Sequence, residues 1–388
     1  MLKADWEDRN GGMVPPSVWK EYIIIGLILC IVLGGGVSAY VGLDMVSDKF
    51  RQIMGINPAA VPKDFYSRLE FEPLPGAVVN RNPMAGHIAA LLREPCDWNS
   101  SYAFAGDLQQ AGYPREAAKV FLAFSAKCRA SDVALYSAAD ILYGLSDLPA
   151  ALAVSEDLLA MSPDLPQSYY LRGRILHDAK RYKEAINAYD SVLGLTEDLA
   201  LLNNEVFRRM SLTYVALADY CEAMTPIQTW VSIDPSKNDT PAAQAMIKDY
   251  STRGKCEGSY ATGKDRFPTQ GKDVITAKVS INGVSGIFVV DTGASFVSLT
   301  RRFAERAKVP LSGDLSVRMQ SANGISLAQR SSAKQIRIGR VEAKDVAAIV
   351  LADSDKPLGD GIDGLLGRSF LSRFDVSFGA RDWRIESK

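Results

Sequence analysis

The stretch Gly286-Ile287-Phe288-Val289-Val290-Asp291-Thr292-Gly293-Ala294-Ser295 decides the fold of the carboxyl-terminal part of this chain. Its apolar half, rich in β-branched and aromatic residues, predicts a strand, and that strand runs straight into Asp291-Thr292-Gly293. Upstream, Val274–Val279 predicts a partner strand, and Asn282-Gly283 predicts the tight turn joining the two. An acid at the end of an apolar strand is held rigidly when a Thr hydroxyl braces the loop and a Gly lets a backbone N–H reach the carboxylate. Working outward, Asn323-Gly324 predicts a second hairpin turn, between Leu315–Gln320 and Ile325–Arg330. A further string, Gly364-Leu365-Leu366-Gly367-Arg368-Ser369-Phe370-Leu371, begins 73 residues after Asp291.

These two separated motifs, in a segment of about 115 residues from Asp273 to the end, resemble the single-lobe retropepsin-like aspartic proteases, and more closely their bacterial membrane-linked members. The resemblance implies an all-β lobe with Asp291 as the catalytic acid and Thr292 and Gly293 as its scaffold. It implies that Ala294, Ser295, Gly364, Leu365, Leu366, Gly367 and Arg368 support that loop, and that Asn323 and Gly324 form the tip of a flap. Retroviral members usually carry Asp where this chain has Ser295, and that Asp can pair with the Arg of the later motif. If Arg368 holds the matching place, it needs a different partner here. One lobe supplies one catalytic carboxylate, so the resemblance implies a homodimer in which two copies of Asp291 share a proton and activate a water. Asp360, Asp363 and Asp375 lie in no second Asp-Thr-Gly string and are expected to be structural. The implied substrate is a protein or peptide, with no cofactor.

Before the lobe a period appears. Ala117, Ala151, Ala185 and Ala223 stand 34, 34 and 38 residues apart at similar turn-to-helix junctions, such as Arg115-Glu116-Ala117 and Lys183-Glu184-Ala185. A helix-turn-helix period of 34 resembles tetratricopeptide repeats, which implies an all-α solenoid able to bind a protein or peptide partner. The small residues Gly173 and Ala185 would let paired helices approach closely, and the four extra residues before Ala223 would lengthen one loop. Trp98 and Trp230 suit repeat packing, and His87 and His177 are expected on helices without chemical roles.

Tyr22–Leu43 is a run of 22 residues without charge, long enough for one transmembrane helix. A cleaved signal peptide ending near Val37-Ser38-Ala39 is the other reading. Basic residues tie across the run, so orientation rests on the cysteines. Cys96 and Cys128 flank a helical hairpin at one end, as do Cys221 and Cys256. Both pairs are candidate disulfides, which point to an oxidising compartment. The expected organisation is a tail over 1–21, a membrane helix over 22–43, a Pro-punctuated extended spacer over 44–84, repeats over 85–253, a Gly-rich linker over 254–272, and the protease-like lobe over 273–388. The expected location is the bacterial inner membrane, single-pass, with both folded parts in the periplasm.

The chain of 388 residues has a net charge of -1, which argues against nucleic acid as a partner. From Lys264 onward the net charge is +6, and the remainder carries -7. With only two histidines, a His-based metal site or a Ser-His-Asp triad is not expected. The competing function is a repeat-type envelope binding or scaffold protein whose lobe is inactive or only dimerises.

Overall fold

The computed structural model describes residues 60–256, 260–269, 274–311, 316–321, 324–352 and 358–388. The expected tail over 1–21, the membrane helix over 22–43 and the flap residue Asn323 lie outside the described residues. Among the described residues, no helix is long and apolar enough to cross a membrane. Residues 74–81 belong to a separate unit, whereas residues 64–73 and 82–388 form one body.

The spacer over 44–84 is not extended where it is described. It carries helices α1 (Lys63–Leu69) and α2 (Gly76–Val79), and α3 (Met84–Arg93) begins at its end. Three of its prolines stand at helix starts: Pro62 precedes α1, while Pro75 and Pro83 occupy the N-cap positions of α2 and α3. At those positions the missing proline N–H has no intrahelical partner to lose.

The repeat array then follows as α4 (Trp98–Gln110), α5 (Pro114–Lys127), α6 (Asp132–Gly144), α7 (Leu148–Met161), α8 (Pro166–Asp178), α9 (Tyr182–Leu195), α10 (Asn204–Ala216) and α11 (Tyr220–Ile233). Helices α12 (Pro235–Asn238) and α13 (Pro241–Gly254) close it. Ala117, Ala151, Ala185 and Ala223 lie on the second helix of successive pairs, and each is 0% exposed. A larger side chain there would force the pair apart. Gly173 answers the same constraint from α8, because a Cβ there would come 2.6 Å from the Tyr189 ring of α9. The longer loop before the last pair holds a single 3₁₀ turn, Leu199–Leu201. Both disulfides form as expected, Cys96–Cys128 and Cys221–Cys256, with Cα separations of 5.3 and 5.6 Å.

The lobe contains β1 (Lys264–Pro268), β2 (Thr276–Ile281), β3 (Val284–Val290), β4 (Val297–Leu299), α14 (Arg301–Arg306), β5 (Val317–Ser321), β6 (Gly324–Ile338), β7 (Val341–Leu351), β8 (Gly364–Leu366), α15 (Arg368–Leu371), β9 (Phe374–Phe378) and β10 (Asp382–Ser387). Seven strands run in the order β2-β3-β8-β4-β7-β6-β5, and β2 also pairs with β6, which closes the sheet into a barrel. Strand β3 alternates as the period-two pattern requires, with Gly286, Phe288 and Val290 turned inward. The strand expected over Val274–Val279 is shifted to Thr276–Ile281, because Val279 and Ile281 both enter the core. The linker over 254–272 also needs correction. Its residues Lys264–Pro268 form β1, which pairs with β10 in a three-stranded sheet and packs Phe267 4.8 Å from Trp383.

Repeat array and lobe share a core. Met319, Ala328, Ile349 and Leu351 of the lobe pack with Tyr189, Val192, Leu193 and Met210 of the array. Two ion pairs to buried carboxylates cross this contact, Arg330 Nε to Asp190 Oδ2 at 2.6 Å and Arg373 Nη2 to Glu222 Oε1 at 2.6 Å. Arg373 also donates to the carbonyls of Lys344 at 2.7 Å and of Tyr260 and Asp345 at 3.2 Å.

Arg373→Met is expected to cost about 3–5 kcal/mol, because it strands a buried carboxylate. Adding Glu222→Leu should recover part of that loss, and urea unfolding of the full chain measures both. His177 donates to or accepts from Thr213 Oγ1 at 2.8 Å, and burial holds its imidazole below the ordinary value of 6.5. Its contribution to stability is therefore complete above about pH 6.5 and is lost as the pH falls through the lower folded value. Between about pH 7.5 and about pH 5, His177→Gln should lose less stability than the native chain.

Candidate active site

Strand β3 delivers Asp291 to the edge of the barrel, and its parallel neighbour β8 delivers the second motif beside it. Val289 pairs with Leu365 and Val290 with Leu366, so the two motifs, distant in sequence, become adjacent. The Asp291 N–H donates to the Leu366 carbonyl at 3.2 Å. The Asp291 carboxylate accepts the N–H groups of Gly293 at 2.8 Å and Ala294 at 3.2 Å through Oδ1. Two hydrogen bonds to one oxygen fix the orientation of the carboxylate. Asp291 is half-buried, and Thr292 and Gly293 are exposed.

The loop is braced from behind. Arg368 N–H donates to the Ala294 carbonyl at 2.8 Å, and Ser369 N–H donates to the Ser295 carbonyl at 3.1 Å. This approach needs glycine at 367, where a Cβ would lie 2.1 Å from the Phe296 carbonyl oxygen. Gly364 and Leu366 are buried in the barrel, and Leu365 is half-buried.

The side chains of Ser295 and Arg368 do not meet. Each turns to the repeat array instead: Ser295 Oγ donates to the Leu193 carbonyl at 2.9 Å, and Arg368 Nη1 donates to Ser232 Oγ at 2.8 Å. Burial works against the Arg368 charge, while the nearby carboxylates of Asp198 and Asp291 favour it.

The second hairpin forms between β5 and β6, with Ser321 opposite Gly324. Gly324 has φ 102, a conformation that suits glycine at the end of a hairpin turn. The hairpin is docked on α9: Arg318 N–H donates to Ser191 Oγ at 3.1 Å, and Arg318 forms an ion pair with Asp164. Gln320 donates to Glu197, and Gly194 leaves only enough room for Met319 and the Arg318 carbonyl.

A cavity of about 930 Å³ opens beside the Asp291 loop, lined by Thr292 and Arg368 of the lobe and by Gln228, Ser232 and Ile247 of the array, among others. Asp363 is structural, accepting from Arg306 at 2.7 Å and from the Ile287 N–H at 3.0 Å. Among the described residues, no group of three or more His, Cys, Asp or Glu side chains could hold a metal ion. The array's contributions to this region, Ser232 and the Leu193 carbonyl, carry no motif of their own. Ser295 in place of an acid was the one signal that the loop is supported from elsewhere.

Residues 277–370 match a family model described as aspartyl protease. Among solved structures, the chain is similar to a retropepsin-like aspartic protease from Rickettsia conorii. That match has 26% identity and a TM-score of 0.27, and it covers 32% of this chain and 91% of that one. It is also similar to YrrB, described as a TPR protein with an unusual peptide-binding site. There the identity is 15% and the TM-score 0.36, over 44% of this chain and 85% of that one. MamA from Desulfovibrio magneticus is similar at 19% identity and a TM-score of 0.32, over 42% of this chain and 97% of that one. A search of curated proteins found no match. The chain thus carries an aspartyl protease-like domain at its carboxyl end and a tetratricopeptide-like repeat domain before it.

Proposed function

We propose that this protein is an aspartic endopeptidase, anchored by one helix in a bacterial inner membrane, with its folded parts in the periplasm. The observation that carries the reading is Asp291 itself. It ends an inward-facing strand, is held through Oδ1 by two backbone N–H groups, and is flanked by the Gly364–Arg368 string. The two disulfides are in keeping with an oxidising compartment.

Peptide hydrolysis of this kind needs two carboxylates close enough to share one proton. The ionised one takes a proton from water as the water attacks the scissile carbonyl. The protonated one hydrogen-bonds the carbonyl oxygen and then helps protonate the leaving amine. The chain contains one Asp-Thr-Gly string, so the second carboxylate comes from Asp291 of another copy. The exposure of Thr292 and Gly293 is consistent with the approach of a second loop, and a shared membrane would raise the local concentration. The repeat array would present or bind the protein substrate.

The test is cleavage of a peptide library by the full chain from about pH 4 to about pH 8, with Asp291→Asn alongside. Asp291→Asn is expected to lower the rate by about 10³-fold or more. The native rate per chain should rise with protein concentration and then saturate as dimer fills, with a bell-shaped pH profile. A concentration-independent rate per chain would overturn the dimer. Silence at concentrations where sedimentation shows dimer would leave the repeat-type binding or scaffold protein as the better account.

A further inference from the structure

Arg368 stands out among the groups around the cavity beside Asp291. Its guanidinium has five N–H donors and no acceptor. Its hydrogen-bond partner among the described residues is a neutral hydroxyl, Ser232 Oγ, and its Nε is shielded from solvent without a partner. The carboxylates of Asp198 and Asp291 favour its charge from nearby, but the side-chain hydrogen bond it makes is to a hydroxyl, so the guanidinium fork has no charged acceptor in hydrogen-bond contact among the described residues.

The cavity has the size and lining for part of a peptide. Its volume is about 930 Å³, within the usual range for ligand sites. It begins at Thr292, the residue that follows the catalytic carboxylate, and continues along apolar surface from Ile247, Leu371 and Phe374. A chain lying across Asp291 would therefore send one side chain, or its own end, past Arg368.

Resting on the protease reading above, we propose that this cavity is a substrate subsite and that Arg368 selects a carboxylate there. The carboxylate comes from an Asp or Glu side chain or from a peptide carboxyl terminus. A planar carboxylate matches the guanidinium fork and offers two charged acceptors in hydrogen-bond reach, where Ser232 offers one neutral oxygen. The repeat array takes part in specificity as well as support, since Gln228, Ser232 and Ile247 also line the cavity.

The experiment uses the full chain and a peptide library prepared with free and with amidated carboxyl termini, with products sequenced by mass spectrometry. One position near the cleaved bond should favour Asp and Glu, or cleavage should depend on the free terminus; the two library forms tell these apart. Matched peptides carrying Glu or Gln at the preferred position, or a free or amidated terminus, should then differ in kcat/KM by roughly tenfold or more. Arg368→Gln should bring that ratio close to one, and Arg368→Lys should restore part of it. A purely structural Arg368 would lower both rates in proportion and leave the ratio unchanged, which would overturn the proposal. So would a native chain with no acidic or terminal preference. If the native chain cleaves nothing, fluorescence anisotropy of the same peptides on the Asp291→Asn chain decides. A carboxylate preference that disappears with Arg368→Gln upholds the subsite while the protease reading falls, and equal binding of all the peptides overturns the subsite.

Discussion

Arg373 sits without solvent contact between helix α11 and the lobe, and a cation in such a place must be answered by fixed oxygen atoms. Four answer it: the Glu222 carboxylate from the array and the carbonyls of Tyr260, Lys344 and Asp345. The Tyr260 ring adds a face 4.0 Å from the guanidinium carbon. Each of these groups must keep its position for the others to be satisfied, so the array and the lobe have one relative placement. Buried pairs of this type contribute little net stability over an apolar contact, but they penalise every alternative arrangement.

That placement brings the last two repeats against the edge of the lobe that carries Asp291. Leu193 and Ser232 reach the loop after Asp291, and α9 holds the β5–β6 hairpin. The array is therefore no simple spacer. It supplies hydrogen-bond partners that the lobe alone lacks, and it lines the cavity beside the Asp291 loop. Anything that bends the array at its final pair would be felt at Ser295 and Arg368, because packed helices transmit displacement rather than absorb it.

Local chemistry was legible in the residues. Asn282-Gly283 takes the left-handed conformations that a tight hairpin demands, with φ 50 and 86. The period of Ala117, Ala151, Ala185 and Ala223 marks positions where helices touch, and the cysteines sit at ends that hairpin geometry brings together. Strand β1 was not legible, because Lys264-Asp265-Arg266 hides it among charges and only Phe267 faces the core. Pro62, Pro75 and Pro83 were legible as interruptions but not as helix starts, since proline serves both purposes.

The sequence by itself determined the two kinds of domain, the acid at the end of β3 and the pairing of cysteines, because each depends on periodicity or on groups close along the chain. Only the tertiary structure decided that Arg368 answers to Ser232, that Ser295 answers to Leu193, and that Arg373 joins Glu222 to three carbonyls. Ser295 and Leu193, Arg368 and Ser232, and Arg373 and Glu222 each lie more than 100 residues apart. A guanidinium has no sequence pattern that names its acceptor. The acceptor is chosen when two apolar faces close on each other and every polar group caught between them must find a partner.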